Sequence, residues 1–265
     1  AQEAGIQVND LLIAVEDQDV REMTADQVRE LIRGEAGTKV SLTVMRQGEH
    51  QTLGVERRRI ESAVATGQML ADGIGLVKIS NFDERCASES IAAVQKLQQE
   101  GAKKIIFDVR NNPGGYAEEL VKLLDYLLPE GDLFRSVSYD GTEKVDTSDA
   151  DCLDMPMAVL INGSSYSAAE FFAAALQEYQ AATIVGEPTV GKGVYQTTIS
   201  LGDGSAVALS TGKYFTPKGN SLTDVGVIPD VRVDVDEETA EKVYYGTLGY
   251  ADDLQIQAAI QVLNR

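Results

Sequence analysis

The chain has 265 residues, 43% hydrophobic and 25% charged, with 23 basic and 42 acidic side chains giving a net charge of −19. That acidic balance disfavours nucleic-acid backbone binding, which needs clustered Lys and Arg, and no apolar run approaches the ~18–20 residues of a membrane span. A single histidine and two cysteines exclude a Cys/His zinc cluster and would leave a Ser–His–Asp hydrolase dependent on His50 alone.

The chain opens on Ala1-Gln2-Glu3-Ala4-Gly5 with no basic, apolar leader, so any export signal or anchor is expected upstream of it. Residues 1–59 read as a small α/β module. A turn over 5–10 leads into a strand-like run, Leu11-Leu12-Ile13-Ala14-Val15. Thr24 caps a helix and Gln27 completes the capping box, with Val28, Leu31 and Ile32 on the apolar face and Gly34 at the end. Residues 40–44 alternate as a half-buried strand, and Gln47-Gly48 turns the chain into a partner strand over 52–55. Arg57-Arg58-Arg59 reads as a solvated strand end or linker, and His50, beside the turn, as exposed.

Residues 60–265 read as a second, larger α/β domain. Segments 63–70 and 75–79 flank Ala71-Asp72-Gly73 as a hairpin. Asp83 opens a helix that ends at Gly101; residues 104–108 form a short buried strand; 117–128 form a second helix. The stretch between Leu128 and Met155 reads as an acidic, loop-rich insertion, without the spacing of an EF-hand calcium loop. A buried strand at 158–161 and a helix at 168–180 follow, with further strands at 183–185, 194–200 and 205–210 and a closing helix at 252–263. Cys86 and Cys152 can pair or stay free, and their spacing does not decide between the two.

Three segments carry chemistry. Asn111-Asn112-Pro113-Gly114-Gly115 follows a buried strand and precedes a helix, where an N–H-rich turn can hold an oxyanion or carboxylate; a plain tight turn would look the same. Ser164-Ser165-Tyr166-Ser167-Ala168-Ala169-Glu170 also joins a strand to a helix, and all three serines there are cap candidates. A nucleophile at that point gains from the helix dipole, with the following N–H free to bind developing negative charge. Gly191-Lys192-Gly193-Val194-Tyr195-Gln196 supplies an isolated, glycine-flanked lysine. A lysine base must be partly neutral near pH 7, and desolvation by Val190 and Val194 is the available cause. In a regular strand Gln196 shares a face with Lys192 and can orient its amine.

The segments 108–115, 165–170 and 191–196, together with Tyr214-Phe215-Thr216-Pro217-Lys218-Gly219 and Gly226-Val227-Ile228-Pro229-Asp230, resemble the signature regions of the carboxyl-terminal processing peptidases, a family of Ser–Lys proteases. The module at 1–59 resembles a PDZ domain whose first part, with the glycine-containing carboxylate loop and the peptide-pairing strand, is missing. The resemblance implies an α/β fold: a crotonase-like mixed-sheet protease core with an N-terminal, truncated PDZ-like domain. It implies Ser167 as nucleophile, Lys192 as general base and Gln196 as its orienting partner. The oxyanion hole would be formed by N–H groups of Ala168 and of the Gly114-Gly115 turn, Gly115 being favoured over Gly114. It further implies a serine endopeptidase that needs no metal or cofactor. Such an enzyme would act outside the cytoplasm on proteins or peptides with accessible C-termini and would bind no nucleic acid. Homo-oligomer formation is left open. Tyr166 and Ala169 depart from the family's alternating Ser and Ala around the nucleophile, and Tyr166 puts bulk beside it. Two other classes compete: a catalytically silent peptide-binding scaffold, and a crotonase-type acyl-CoA enzyme using the glycine turn as its oxyanion hole.

Overall fold

Period-two apolar alternation and one amphipathic helix account for the first of the two units into which the chain divides, Ala1–Ser62 and Ala63–Arg265. The computed structural model describes residues 1–59 and 62–265. Residue 60, where the larger domain is expected to begin, lies outside the described residues.

In the first unit, β1 (Leu11–Val15), β2 (Gln18–Asp19), α1 (Ala25–Ile32), β3 (Lys39–Arg46) and β4 (Glu49–Glu56) form an antiparallel sheet in the order β2-β1-β3-β4 with one helix. Val40 and Leu42 of β3 are buried beside Val15 and Val20, and Val28, Leu31 and Ile32 of α1 pack on them. The expected capping box is present: Thr24 Oγ1 accepts from Gln27 N–H, and Gln27 Oε1 accepts from Thr24 N–H at 2.9 Å. Arg57 is not a solvated linker residue. Its guanidinium donates to the carbonyl of Ile32 at 2.7 Å and to that of Lys39 at 3.0 Å, capping α1 two residues ahead of Gly34. His50 is exposed on β4.

In the second unit the hairpin forms from β5 (Ala65–Met69) and β6 (Ile74–Ile79), followed by α2 (Cys86–Gln99), β7 (Lys104–Asp108) and α3 (Ala117–Leu127). Helix α2 begins at Cys86 rather than Asp83, because Asp83 spends its side chain on Arg85 N–H and its carbonyl on Cys86 N–H in the preceding turn. The stretch expected to be loop-rich instead contains two paired strands, β8 (Gly131–Ser138) and β9 (Glu143–Ser148). Glu143 is exposed there and Asp146, opposite Phe134, pairs with Lys144 at 2.6 Å, while Leu133 and Phe134 turn inward to the core. Next come β10 (Met157–Ile161), α4 (Ala168–Glu178), β11 (Ala182–Gly186), β12 (Val194–Ser200), β13 (Ala206–Phe215) and the short β14 (Val231–Arg232). Two helices close the chain, α5 (Glu237–Tyr245) and α6 (Leu254–Leu263). The first of these is an addition to the expected elements, capped by Asp236 on Thr239 N–H at 2.8 Å.

The main sheet runs β14-β11-β10-β7-β6-β5, with β5 antiparallel to β6 and the other neighbours parallel. Burial on both faces explains the continuous apolar runs in β7 and β10. Ile105, Phe107, Val159 and Ile161 face the cluster formed with α2, α3 and α4, whereas Ile106, Ala158 and Leu160 face Ile256 and Ala259 of α6. A second sheet, β12-β13-β8-β9, is antiparallel. Both cysteines are free: Cys86 is buried, with its thiol pushed up to about 12 by burial, and Cys152 is exposed. Among the described residues no helix is long and apolar enough to cross a membrane.

Candidate active site

Strands β7, β10 and β11 are neighbours and parallel, so their C-terminal ends lie side by side and the loops that leave them emerge together. Ligand sites in open α/β sheets form at that edge. Here the loop after β7 carries Gly114 and Gly115, the loop after β10 carries Ser167, and the loop after β11 carries Lys192. Three segments far apart in sequence are thereby collected by one sheet.

The first two loops are bonded to each other. Tyr166 N–H donates to the Asn112 carbonyl at 2.9 Å, Ser165 Oγ donates to the Val109 carbonyl at 2.8 Å, and Asn111 and Asn162 exchange two bonds of 3.0 Å. Gly114 packs directly on the serine: a Cβ placed on it would lie 2.9 Å from both Ser167 Cβ and Ala168 N. Its φ of +87° is in the left-handed region, so both space and backbone conformation call for glycine there. The Gly114 N–H is taken by Asn112 Oδ1 at 2.8 Å. Among the described residues the N–H groups of Gly115 and Ala168 have no acceptor, the latter because it opens α4.

Ser167 has φ +53° and ψ −116°, a strained conformation for a non-glycine residue, of order 1–3 kcal/mol. It sits on the sharp turn from β10 into α4, which lifts the side chain away from the sheet. Glu170 sustains that turn. This carboxylate is fully buried, and its Oε2 accepts from Ser167 N–H at 2.8 Å and from Lys192 N–H at 2.9 Å. Its Oε1 accepts from Gly191 N–H and from Thr189 Oγ1, each at 2.6 Å. One acceptor-only group therefore gathers four donors from the nucleophile and lysine loops. The chemistry-based reading passed over Glu170; its position three residues beyond a helix-start serine is the signal that could have found it.

The Lys192 side chain is half-buried, with its Nζ 5.1 Å from the centroid of the Tyr166 ring. Among the described residues it makes no hydrogen bond to Ser167 Oγ. Gln196 is exposed on β12 opposite Ser210, immediately past a register shift between Tyr195 and Gln196. Lys192 itself lies two residues ahead of β12, so the regular strand that would place both on one face does not exist. The structure brings Ser167, Ala168, Gly114 and the Lys192 backbone together and leaves Gln196 on the open strand.

Behind the β7 loop, Arg110 is 5% exposed and paired with Asp108 at 2.7 Å and Asp253 at 2.9 Å, with Gln255 Oε1 at 2.9 Å. Burial opposes its charge, but the two carboxylates outweigh that and hold its pKa above the ordinary guanidinium value. The pair ties the start of α6 to the base of the glycine turn.

The chain is similar to known proteins at every level compared. The model of peptidase family S41 matches residues 73–233, and a PDZ domain model matches residues 1–46. A carboxyl-terminal-processing protease of Synechocystis sp. is 32% identical over 272 residues, covering 99% of this chain and 62% of that protein. A probable CtpA-like serine protease of Staphylococcus haemolyticus is 33% identical over 237 residues, covering 88% and 48% respectively. The chain thus spans about half to two thirds of the length of these relatives. Among solved structures, a photosystem II D1 C-terminal processing protease superposes with a TM-score of 0.60 at 28% identity, over 88% of this chain and 65% of that one. Mature CPAF, at a TM-score of 0.55 and 15% identity over 98% and 79%, shares the fold.

Proposed function

The chain belongs to peptidase family S41, and from that membership we propose that it is a serine endopeptidase working through Ser167 and Lys192. In its neutral form the Lys192 amine takes the Ser167 hydroxyl proton as Oγ attacks the substrate carbonyl carbon. The resulting oxyanion is held by the open N–H groups of Ala168 and Gly115, with Gly114 excluded because its N–H is already spent on Asn112. The lysine ammonium then returns its proton to the leaving amine, and water hydrolyses the acyl-enzyme to free the serine. Gln196 is assigned the orienting role on the family resemblance alone.

The observation that carries this reading is the single Glu170 oxygen that accepts from the backbones of both Ser167 and Lys192, at 2.8 and 2.9 Å. It ties the backbones of the two loops to one atom, which keeps Lys192 beside the loop that carries Ser167. The Nζ rests 5.1 Å from the Tyr166 ring centroid, and proton transfer requires it to reach the Ser167 hydroxyl. The strain at Ser167 favours an enzyme over a silent scaffold, since such conformations persist where the surroundings enforce them.

We assign residues 1–59 to a PDZ-like module that presents substrate and 60–265 to the peptidase core, which we relate to crotonase-like enzymes. The PDZ model match and the mixed, helix-covered sheet support that division. Substrates are proteins cleaved near accessible C-termini, as the names of the relatives suggest, and we place the reaction outside the cytoplasm on the family resemblance alone. The test is hydrolysis of a denatured protein. Wild type is expected to cleave it, and Ser167→Ala and Lys192→Met to lose at least ~10³-fold in rate. Full activity in the methionine variant would overturn the proposed base.

A further inference from the structure

A cavity of about 520 Å³ in the second unit is lined by Ala117, Val121, Phe134, Tyr195 and Tyr214, with Lys122 at its edge. Each part of the candidate site sends a neighbour into it. Ala117 follows Gly115 by two residues in the first turn of α3, and Tyr195 follows Lys192 by three. Tyr214 N–H donates to the Gly193 carbonyl at 2.8 Å. Phe134 packs edge-on at 5.2 Å against Phe171, one helical turn beyond Ser167. We propose that this cavity is the specificity pocket, taking a large apolar side chain from the substrate residue that supplies the scissile carbonyl. The inference rests on the Ser–Lys peptidase reading and adds the substrate preference.

The apolar part of the wall is held in place, and Ser136 and the Lys144–Asp146 pair complete it. The Tyr195 and Tyr214 rings stack with centroids 4.8 Å apart, the Tyr195 hydroxyl bonds Ser138 Oγ at 2.6 Å, and Tyr214 packs on Phe134 at 4.7 Å. A preformed apolar concavity of this size suits a bulky aliphatic or aromatic group. The cations at its edge are already spent, Lys122 on Glu119 at 2.7 Å and Lys144 on Asp146 at 2.6 Å. Neither is left to attract an acidic side chain, and the exposed Glu118 carboxylate in the lining repels one. A basic side chain would find Asp146 already paired with Lys144 and only the exposed Glu118 to meet, so it gains less from the pocket than Phe or Leu.

Four peptides identical except for Phe, Leu, Ala or Lys before the cleaved bond test this, with the cleavage point confirmed by mass spectrometry. The kcat/KM values for Phe and Leu are expected to exceed those for Ala and Lys by about tenfold or more. Filling the cavity with Val121→Trp should lower the Phe-to-Ala ratio by at least about tenfold, and Ala117→Leu should lower it in the same direction by less. Each ratio comes from one enzyme preparation, so it is independent of how much of a variant folds. A ratio unchanged in both variants, or a preference for Lys or Ala, overturns the pocket assignment while Ser167-dependent cleavage keeps the peptidase reading. Absence of any cleavage lost in Ser167→Ala overturns the peptidase reading and the pocket with it.

Discussion

The two sides of the candidate site are built differently. On the nucleophile side, Ser167, Gly114 and Glu170 are packed on buried strands, and backbone hydrogen bonds hold the serine in its strained conformation. On the base side, the backbone of Lys192 is pinned by the same carboxylate, while its side chain rests on an aromatic ring and Gln196 stands exposed. In the proposed mechanism the backbone donors of Ala168 and Gly115 are already in place, and proton transfer is left to the Lys192 side chain.

Breaking the shared anchor should have the largest effect. In Glu170→Gln the new amide offers donors where acceptors are needed, so at least one of the four buried donors loses its partner, at about 1–3 kcal/mol each. Activity is expected to fall about 100-fold or more, with a lower denaturation midpoint in urea. A variant with wild-type kcat and stability would show that the two loops hold their places without the carboxylate.

The buried floor can be probed through its thiol. Cys86 shares a core cluster with Phe82, whose carbonyl accepts from Tyr116 N–H beside the glycine turn. With its pKa raised from the ordinary 9.0 to about 12, the neutral thiol contributes stability that is complete below about pH 9. That contribution is lost as pH rises toward 12. A thiol reagent at pH 8 should therefore label one cysteine per native chain, Cys152, and both after denaturation. Equal labelling of the two in the native chain would mean that the floor opens readily.

The smallest effect sharpens the base side. A cation–π contact of this kind is worth ~0.5–1 kcal/mol, and it holds the Lys192 amine on the Tyr166 ring. Tyr166→Leu should raise kcat/KM about two- to fivefold by freeing the amine, and an unchanged value would assign the ring a purely steric role.

Much of the fold was legible because its signals are local. Continuous apolar runs located β7 and β10, and the Thr24–Gln27 spacing located α1 and its cap. The segment between Leu128 and Met155 misled because it is rich in acidic residues and only Leu133 and Phe134 mark its inner face. Arg57 misled in another way: a charged residue at a strand end looks solvated until the helix terminus that it caps is known. For the site, motif and order pointed to Ser167, Lys192 and the glycine turn. Glu170 was hidden by its resemblance to a routine helix-start acid, and the argument for Gln196 depended on a strand regularity that the register shift removes.

By itself the sequence determined most of the element types and the family, since these follow from residue spacing along the chain, but not β8, β9 or α5. Tertiary structure alone decided that the loops after β7, β10 and β11 share one edge, that Gly114 rather than Gly115 has spent its N–H, and where the lysine amine rests. The physical reason is that hydrogen-bond partners and side-chain positions depend on which distant segments pack together, and parallel strand order brings those segments into register.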